Sequence, residues 1–320
     1  MQAVKLVKIY RCNSSCINVV KRGTIIASSL NGTIYGFSKD AENEDGLVWT
    51  LKIPGSNPVL NFKNDTVYTV SDDTLFALSE TNGSIKWSVR IKEKITTIPF
   101  ITDKGIFIGT EYGRIIGVDL NGTIFFESQP SGAILKSIIV ENNNIFLSDI
   151  DGKIFCIEPL SGKVLWSFTA SDRLVSSLAI SADKVFASSV DGSFYFIDKF
   201  KGTLLKRIIF NKELKVTPVV AKNGIIIASD NVISMLSFEG EVLWSLKLSE
   251  SITDISSVNG KDNLFVSGEN GGISCVNLTG RLIWTYRLGS SSLNSFLIGD
   301  TEGLFATSSG EVYHLEFIQQ

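Results

Sequence analysis

A closed ring of eight four-stranded antiparallel β-sheets, an all-β eight-bladed propeller, is the fold this sequence predicts. Three observations carry that prediction. Trp49, Trp87, Phe126, Trp166, Lys206, Trp244 and Trp284 recur in one register at intervals of 38 to 40 residues, close to the period of a propeller blade. Each interval holds four short apolar runs divided by turn residues. The runs are apolar on both sides instead of strictly alternating, as suits sheets covered on both faces by neighbouring blades.

The elements of a unit follow in fixed order. A first run lies at 17–20, 59–62, 97–101, 138–140, 178–180, 216–220 and 255–258. A second, such as 24–29, 67–71, 106–110, 185–189, 225–229 or 264–267, ends on small residues. The third lies at 34–37, 75–78, 115–118, 154–157, 194–197, 233–236 and 273–276. Side chains alternate along a strand, so Ile154 and Cys156 would face one neighbour and Phe155 and Ile157 the other. Cys275, Ala77, Gly36 and Gly117 fall at the register of Cys156, which makes the two cysteines small core residues. The fourth run ends near the Trp. Six times a turn glycine precedes that register by four residues (Gly83, Gly122, Gly162, Gly202, Gly240, Gly280), supplying the positive φ of a tight hairpin. The five tryptophans, Trp49, Trp87, Trp166, Trp244 and Trp284, read as structural wedges between blades, and Phe126 and Lys206 mark weaker repeats.

Seven units end near Leu288, and 293–317 supplies only three more strands. The missing strand is at the other end of the chain, in residues 3–10, so residues 1–320 form one domain closed by its N-terminal strand. Closure removes a bare sheet edge. In that strand Val4, Leu6 and Lys8 would face one side and Lys5, Val7 and Ile9 the other, with the apolar ones buried.

Composition excludes several classes. A net charge of −3 argues against a nucleic-acid surface, and no apolar run reaches the length of a membrane span. Lys5 and Lys8 interrupt the N-terminal apolar residues and no small-residue cleavage site follows. The expected location is therefore cytoplasmic, or secreted if a leader was trimmed. Cys12 and Cys16 flank Asn-Ser-Ser and could meet only if the chain bends there; a straight strand would hold their Cα atoms about 13 Å apart, beyond disulfide reach, so four reduced thiols are expected. One histidine, His314, and no Cys-x-x-Cys pair leave no zinc site. His314 sits at the Cys156 register and reads as a packed or hydrogen-bonded core residue.

The repeat DGKIFCIEPLSGKVLW closely resembles that of the pyrroloquinoline-quinone-like propeller family, with a consensus near DGxLYALDxxTGxxLW. Looser copies are DNVISMLSFEGEVLW, NGGISCVNLTGRLIW and DDTLFALSETNGSIKW, and the resemblance spans the chain. It implies one of two roles. Quinoprotein dehydrogenases of the family hold the quinone and a calcium ion over the central axis. Its non-catalytic members, among them a bacterial outer-membrane assembly lipoprotein, serve as interaction scaffolds, and this chain is closer to them in character. It lacks the vicinal cysteines of the enzymes, and eight minimal blades leave no room for their extra segments.

No catalytic, cofactor-binding or metal-binding residue is therefore assigned, and no cofactor is expected. Asp72, Asp73, Asp149, Asp151, Asp191 and Asp230 fall in turns and read as turn chemistry. The Asn-x-Ser/Thr triplets at Asn31 and Asn121 read the same way, and the acidic loop 39–45 as a solvated surface. The face that carries the cofactor in the quinone enzymes here presents Lys92, Glu93, Lys94, Glu111, Tyr112 and Arg173, a mixture of charge and one aromatic suited to a protein partner. The expected function is a non-catalytic scaffold for protein–protein interaction, monomeric on its own and possible within a larger assembly. The alternative is a quinone- or metal-dependent oxidoreductase, or its inactive remnant.

Overall fold

The computed structural model describes residues 4–317 apart from 42, 131, 133, 135–137, 258–261 and 290. Among them are thirty-two strands and no helix, arranged as eight four-stranded antiparallel sheets. Blade one runs outward through Cys16–Lys21, Ile25–Ser29, Thr33–Phe37 and Leu47–Lys52. Six more blades repeat that order. The eighth is Leu293–Ile298, Glu302–Thr307 and Glu311–Phe317, finished on its outside by Val4–Arg11. The closure expected from the count of strands is thus present. Residue 3 of the expected strand and residue 258 lie outside the described residues.

The core is a set of apolar clusters, each filling the gap between two blades. Ile154 and Cys156 pack towards blade five and Phe155 and Ile157 towards blade three, as alternation requires. The middle strands carry the burial, while the outermost are half exposed. In blades one to seven the outermost pairing slips by one residue just before the Trp register of the fourth strand: Cys156 faces Trp166 but Ile157 faces Val164. The extra residue of such a bulge is left unpaired. Leu165, Leu205, Leu243 and Ile283, each just before that register, stand about half exposed.

The wedges also have a polar end. Trp49, Trp87, Trp166 and Trp244 each donate their indole N–H to a carbonyl in the next blade's outer turn, those of Glu80, Leu120, Lys199 and Leu278, at 2.8–3.0 Å. Their rings lie against the turn glycines Gly83, Gly122, Gly202 and Gly280, where a Cβ would meet indole carbons at 2.4–3.1 Å. Lys206 makes the same connection without a ring: its Nζ donates to Glu239 O at 2.7 Å and Gly240 O at 3.2 Å, and its stem covers Gly240. Phe126 has no donor, and Ser128 Oγ, two residues on, bonds Gly162 O at 3.0 Å. Trp284 meets Phe317, the rings 5.9 Å apart.

Two expectations are corrected here. A bulge between Leu6 and Lys8 breaks the alternation of the closing strand, so Val4 and Tyr10 are buried while Leu6 and Val7 are over 40% exposed. An outermost strand is simply too far from the neighbouring blades to be covered on both sides. Cys12 and Cys16 form a disulfide, Cα atoms 6.4 Å apart. The chain must turn there, passing from the outermost strand of blade eight to the innermost strand of blade one. Cys12 N–H bonds Gly310 O and Asn13 N–H bonds the Tyr35 hydroxyl, which hold the turn. Cys156 and Cys275 are free, and burial pushes both thiols up to about 11.

His314 is buried beside Glu302, Nε2 to Oε2 2.5 Å, and stacks on Tyr10. Two of the turn aspartates bond their own turns, Asp191 accepting from Ser193 N–H and Asp149 from Lys153 N–H, whereas Asp73 pairs with Arg90 and Asp230 with Lys212 and Ser251. Of the acidic loop, Glu42 lies outside the described residues and its neighbours from Lys39 to Asp45 are mostly exposed.

Candidate functional site

The second-to-third-strand turns and the blade-to-blade connections share one face of the ring, here the upper face. Between blades two and three the connection is pinned at two buried isoleucines. Ile91 N–H bonds Asp73 O at 2.8 Å and Ile95 N–H bonds Asp72 O at 2.7 Å. The residues between them are forced outward, and Lys92 turns through a positive φ of 66°. Lys92 and Lys94 are therefore exposed on a fixed base.

Glu93 faces inward. Arg114 bonds it at 2.6 Å and Thr110 Oγ1 at 2.7 Å, and the other arm of Arg114 holds Glu127 at 2.6 Å. Burial works against the Glu93 carboxylate, but those hydrogen bonds outweigh it and keep its pKa below the ordinary value. Glu111 N–H bonds Lys94 O at 2.9 Å, which sets the turn carrying Tyr112 beside the connection. Tyr112 is 62% exposed, and Gln129 Nε2 bonds its carbonyl.

Five of the six residues expected to meet a partner thus come together at blades two and three. Arg173 does not join them. It lies on the connection between blades four and five, where its carbonyl accepts Val190 N–H, and its side chain is exposed near Asp172. Arg114, the group that fixes Glu93, was not singled out from the sequence. Its only signal there is its place at the start of a third strand, one residue after the turn glycine Gly113.

The innermost strands and connections enclose a central cavity of ≈530 Å³. Its wall is largely uncharged and polar, with Asn18, Thr96, Thr217 and Asn294 among the residues, and Lys215 and Asp254 as its charged members. Asn18 joins three blades through Ser295 Oγ (3.2 Å) and Leu60 N–H (3.3 Å). Among the described residues no three His, Cys, Asp or Glu side chains come together in a group able to hold a metal ion. Among the described residues no helix is long and apolar enough to cross a membrane.

Comparison with known proteins supplies the relatives. The family model described as outer membrane protein assembly factor BamB matches residues 30–138 and 229–317. That of the lambda-carrageenase beta-propeller domain matches 106–222. Outer membrane protein assembly factor BamB of Moranella endobia (strain PCIT) is 22% identical over 294 residues, 83% of this chain. The chain spans 64% of the length of that relative. Three solved structures share the fold. The computationally designed Ika8 protein superposes with a TM-score of 0.87 at 17% identity, over 98% of this chain and 99% of its own. BamB from Moraxella catarrhalis gives 0.80 at 15%, over 98% and 100%. Sqt1 of Saccharomyces cerevisiae gives 0.82 at 13%, over 99% and 100%. Neither these relatives nor the Cys12–Cys16 disulfide supports the cytoplasmic location expected from the N-terminus, because a structural disulfide persists in oxidising compartments.

Proposed function

Since the chain belongs to the family of the outer membrane protein assembly factor BamB, we propose that it is a non-catalytic scaffold whose upper face holds a protein partner within a larger assembly in an oxidising compartment. The observation that carries this reading is the fixed base under Lys92, Lys94 and Tyr112. Ile91, Ile95 and the Glu93–Arg114–Glu127 chain hold the backbone before any partner arrives. Little ordering remains for binding to oppose, and an exposed Tyr flanked by charges is a suitable anchor. Arg173, on a separate connection, would meet the rim of the same partner.

The experiment is capture from the native organism with the wild-type chain and with a Lys94→Glu, Tyr112→Ala double variant. Both positions are exposed, so the variant should fold normally and lose the partner. Equal capture by the two proteins would remove this face from the proposal. The central cavity favours one competing reading, a quinone- or metal-dependent oxidoreductase. Titration with pyrroloquinoline quinone and calcium, followed by heat and by melting temperature, decides it: saturable tight binding would replace the scaffold reading.

A further inference from the structure

The lower face carries the first-to-second-strand and third-to-fourth-strand turns, and the latter come in two lengths. In blades three and six the turn glycine reaches back three residues, Gly122 N–H to Asp119 O and Gly240 N–H to Ser237 O. In blades four and five it reaches back four, Gly162 N–H to Glu158 O and Gly202 N–H to Asp198 O, both 2.9 Å. The second residue of the longer turn folds inward, as the buried Pro159 and Lys199 do, and the third becomes a tip. Those tips are Leu160, 81% exposed, and Phe200, 69% exposed, the two most exposed large apolar side chains described.

Beside Leu160 a groove of ≈230 Å³ opens between blades three and four, lined by Phe107, Phe125, Val140 and Pro159 as well as Leu160. The carboxylates around it are committed. Asp103 pairs with Lys63, Glu141 with Lys199, and Glu158 caps the N–H groups of Leu160 and Ser161. Asp198 does the same for Phe200 and Lys201. The ammonium groups are free of carboxylates: Lys104 meets the Asn143 amide oxygen, and the exposed Lys163 and Lys201 make no ion pair among the described residues. Lys104 on the wall of the well and Lys163 and Lys201 on the turns of the two tips thus lack a carboxylate partner, while Glu158 and Asp198 keep their charge but turn it to the backbone N–H groups of their own turns.

We propose that this groove and its two tips are a second docking surface, opposite the first, for a protein segment whose aromatic or aliphatic side chain is flanked by carboxylates. The proposal rests on the scaffold reading above. A concave well takes a side chain, whereas a lipid surface would engage the convex tips alone, and complementary charge selects the acidic flank.

The test is panning of short random peptides displayed on phage against the full chain. Enriched peptides should carry an aromatic or aliphatic residue beside Asp or Glu. They should bind about tenfold more weakly to Leu160→Asp, and to Lys104→Glu with Lys163→Glu. These positions are exposed, so both variants should melt like the wild type. Enrichment without that pattern, or equal binding to the variants, overturns the proposal. So does co-sedimentation with phosphatidylglycerol vesicles that Leu160→Asp with Phe200→Asp abolishes, which would assign the tips to lipid. Peptide binding that fails while upper-face capture persists removes this surface alone. Capture that fails while peptides bind as described removes the upper-face reading and leaves this one.

Discussion

Removing residues 1–11 should open the ring. Within that segment Val4–Arg11 forms the outer strand of blade eight, with Val4 opposite Phe317 and Arg11 opposite Glu311. Its buried side chains are Val4, 3% exposed, and Tyr10, 0% exposed, the latter with its ring 5.1 Å from Phe37 of blade one. Burial of a Val contributes about 1.5–3 kcal/mol, and truncating a buried aromatic costs about 3–5 kcal/mol. Together they approach half or more of the ~5–15 kcal/mol that holds a domain folded. Tyr10→Ala separates the two consequences: it should lower stability by the aromatic share while keeping the strand. The deletion additionally bares the edge of Glu311–Phe317, so it should aggregate where the point variant does not. Urea melts with light scattering read both effects, and hydrogen exchange in the intact protein should be slow along Val4–Arg11. A deleted chain that stays monomeric and melts like the full one, or fast exchange along that strand, would refute closure by these residues.

Three further outcomes follow from the same geometry. Trp166→Ala should cost about 3–5 kcal/mol and lower the melting temperature by roughly 10 °C, while Trp166→Phe, losing mainly the bond to Lys199 O, should cost about 1 kcal/mol; an unchanged melt would end the wedge assignment. Thiol titration should find no fast-reacting group in the native chain, two after unfolding without reductant, and four after reduction, because Cys156 and Cys275 are buried and Cys12 is paired with Cys16. Four thiols before reduction would contradict the disulfide. Burial opposes the Glu302 carboxylate, yet hydrogen bonds from Lys21 and His314 prevail and lower its pKa from 4.5. A depressed folded-state value means stability present above 4.5 and lost as pH falls through the lowered pKa. Glu302→Gln should therefore melt below the wild type at neutral pH, with the gap closing in acid; a gap independent of pH would show that the pairing contributes nothing.

The repeat period, the eight blades and even the division of Ile154 and Cys156 from Phe155 and Ile157 were legible because alternation and turn glycines act locally. The bulge was not. Val-Leu-Trp and its relatives carry no mark of a one-residue slip, so the outward-facing Leu165 or Leu243 looks like any core residue. Lys206 misleads for another reason. The register asks for a donor that reaches the next blade's turn and a body that covers its glycine, and an alkyl stem ending in an ammonium meets both needs. A search for aromatic residues sees only a gap there. The candidate upper site was legible as a group of loops, but Arg173 was placed with them by kind and not by position. The disulfide escapes the sequence because a straight strand holds the two cysteines apart and only the crossing from blade eight to blade one brings them together, and the lower groove because it depends on the one extra residue of the turn that carries Pro159 and Leu160.

The closing blade also determines how the ring answers to force. Val4 and Phe317 lie side by side at one end of an antiparallel ladder, so tension applied between the two ends of the described chain loads its pairs one after another and peels them apart. An unzipping ladder yields at low load, because no two pairs share it. The tear would run from Val4 to Arg11 and then meet Cys12, whose N–H is held by Gly310 O and whose sulfur is joined to Cys16 on the innermost strand of blade one. From there the pull passes through a covalent link into a strand at the centre of the ring. Val4–Arg11 thus acts as a yielding seam, and the five-residue loop behind it as the stop that confines the damage to one strand.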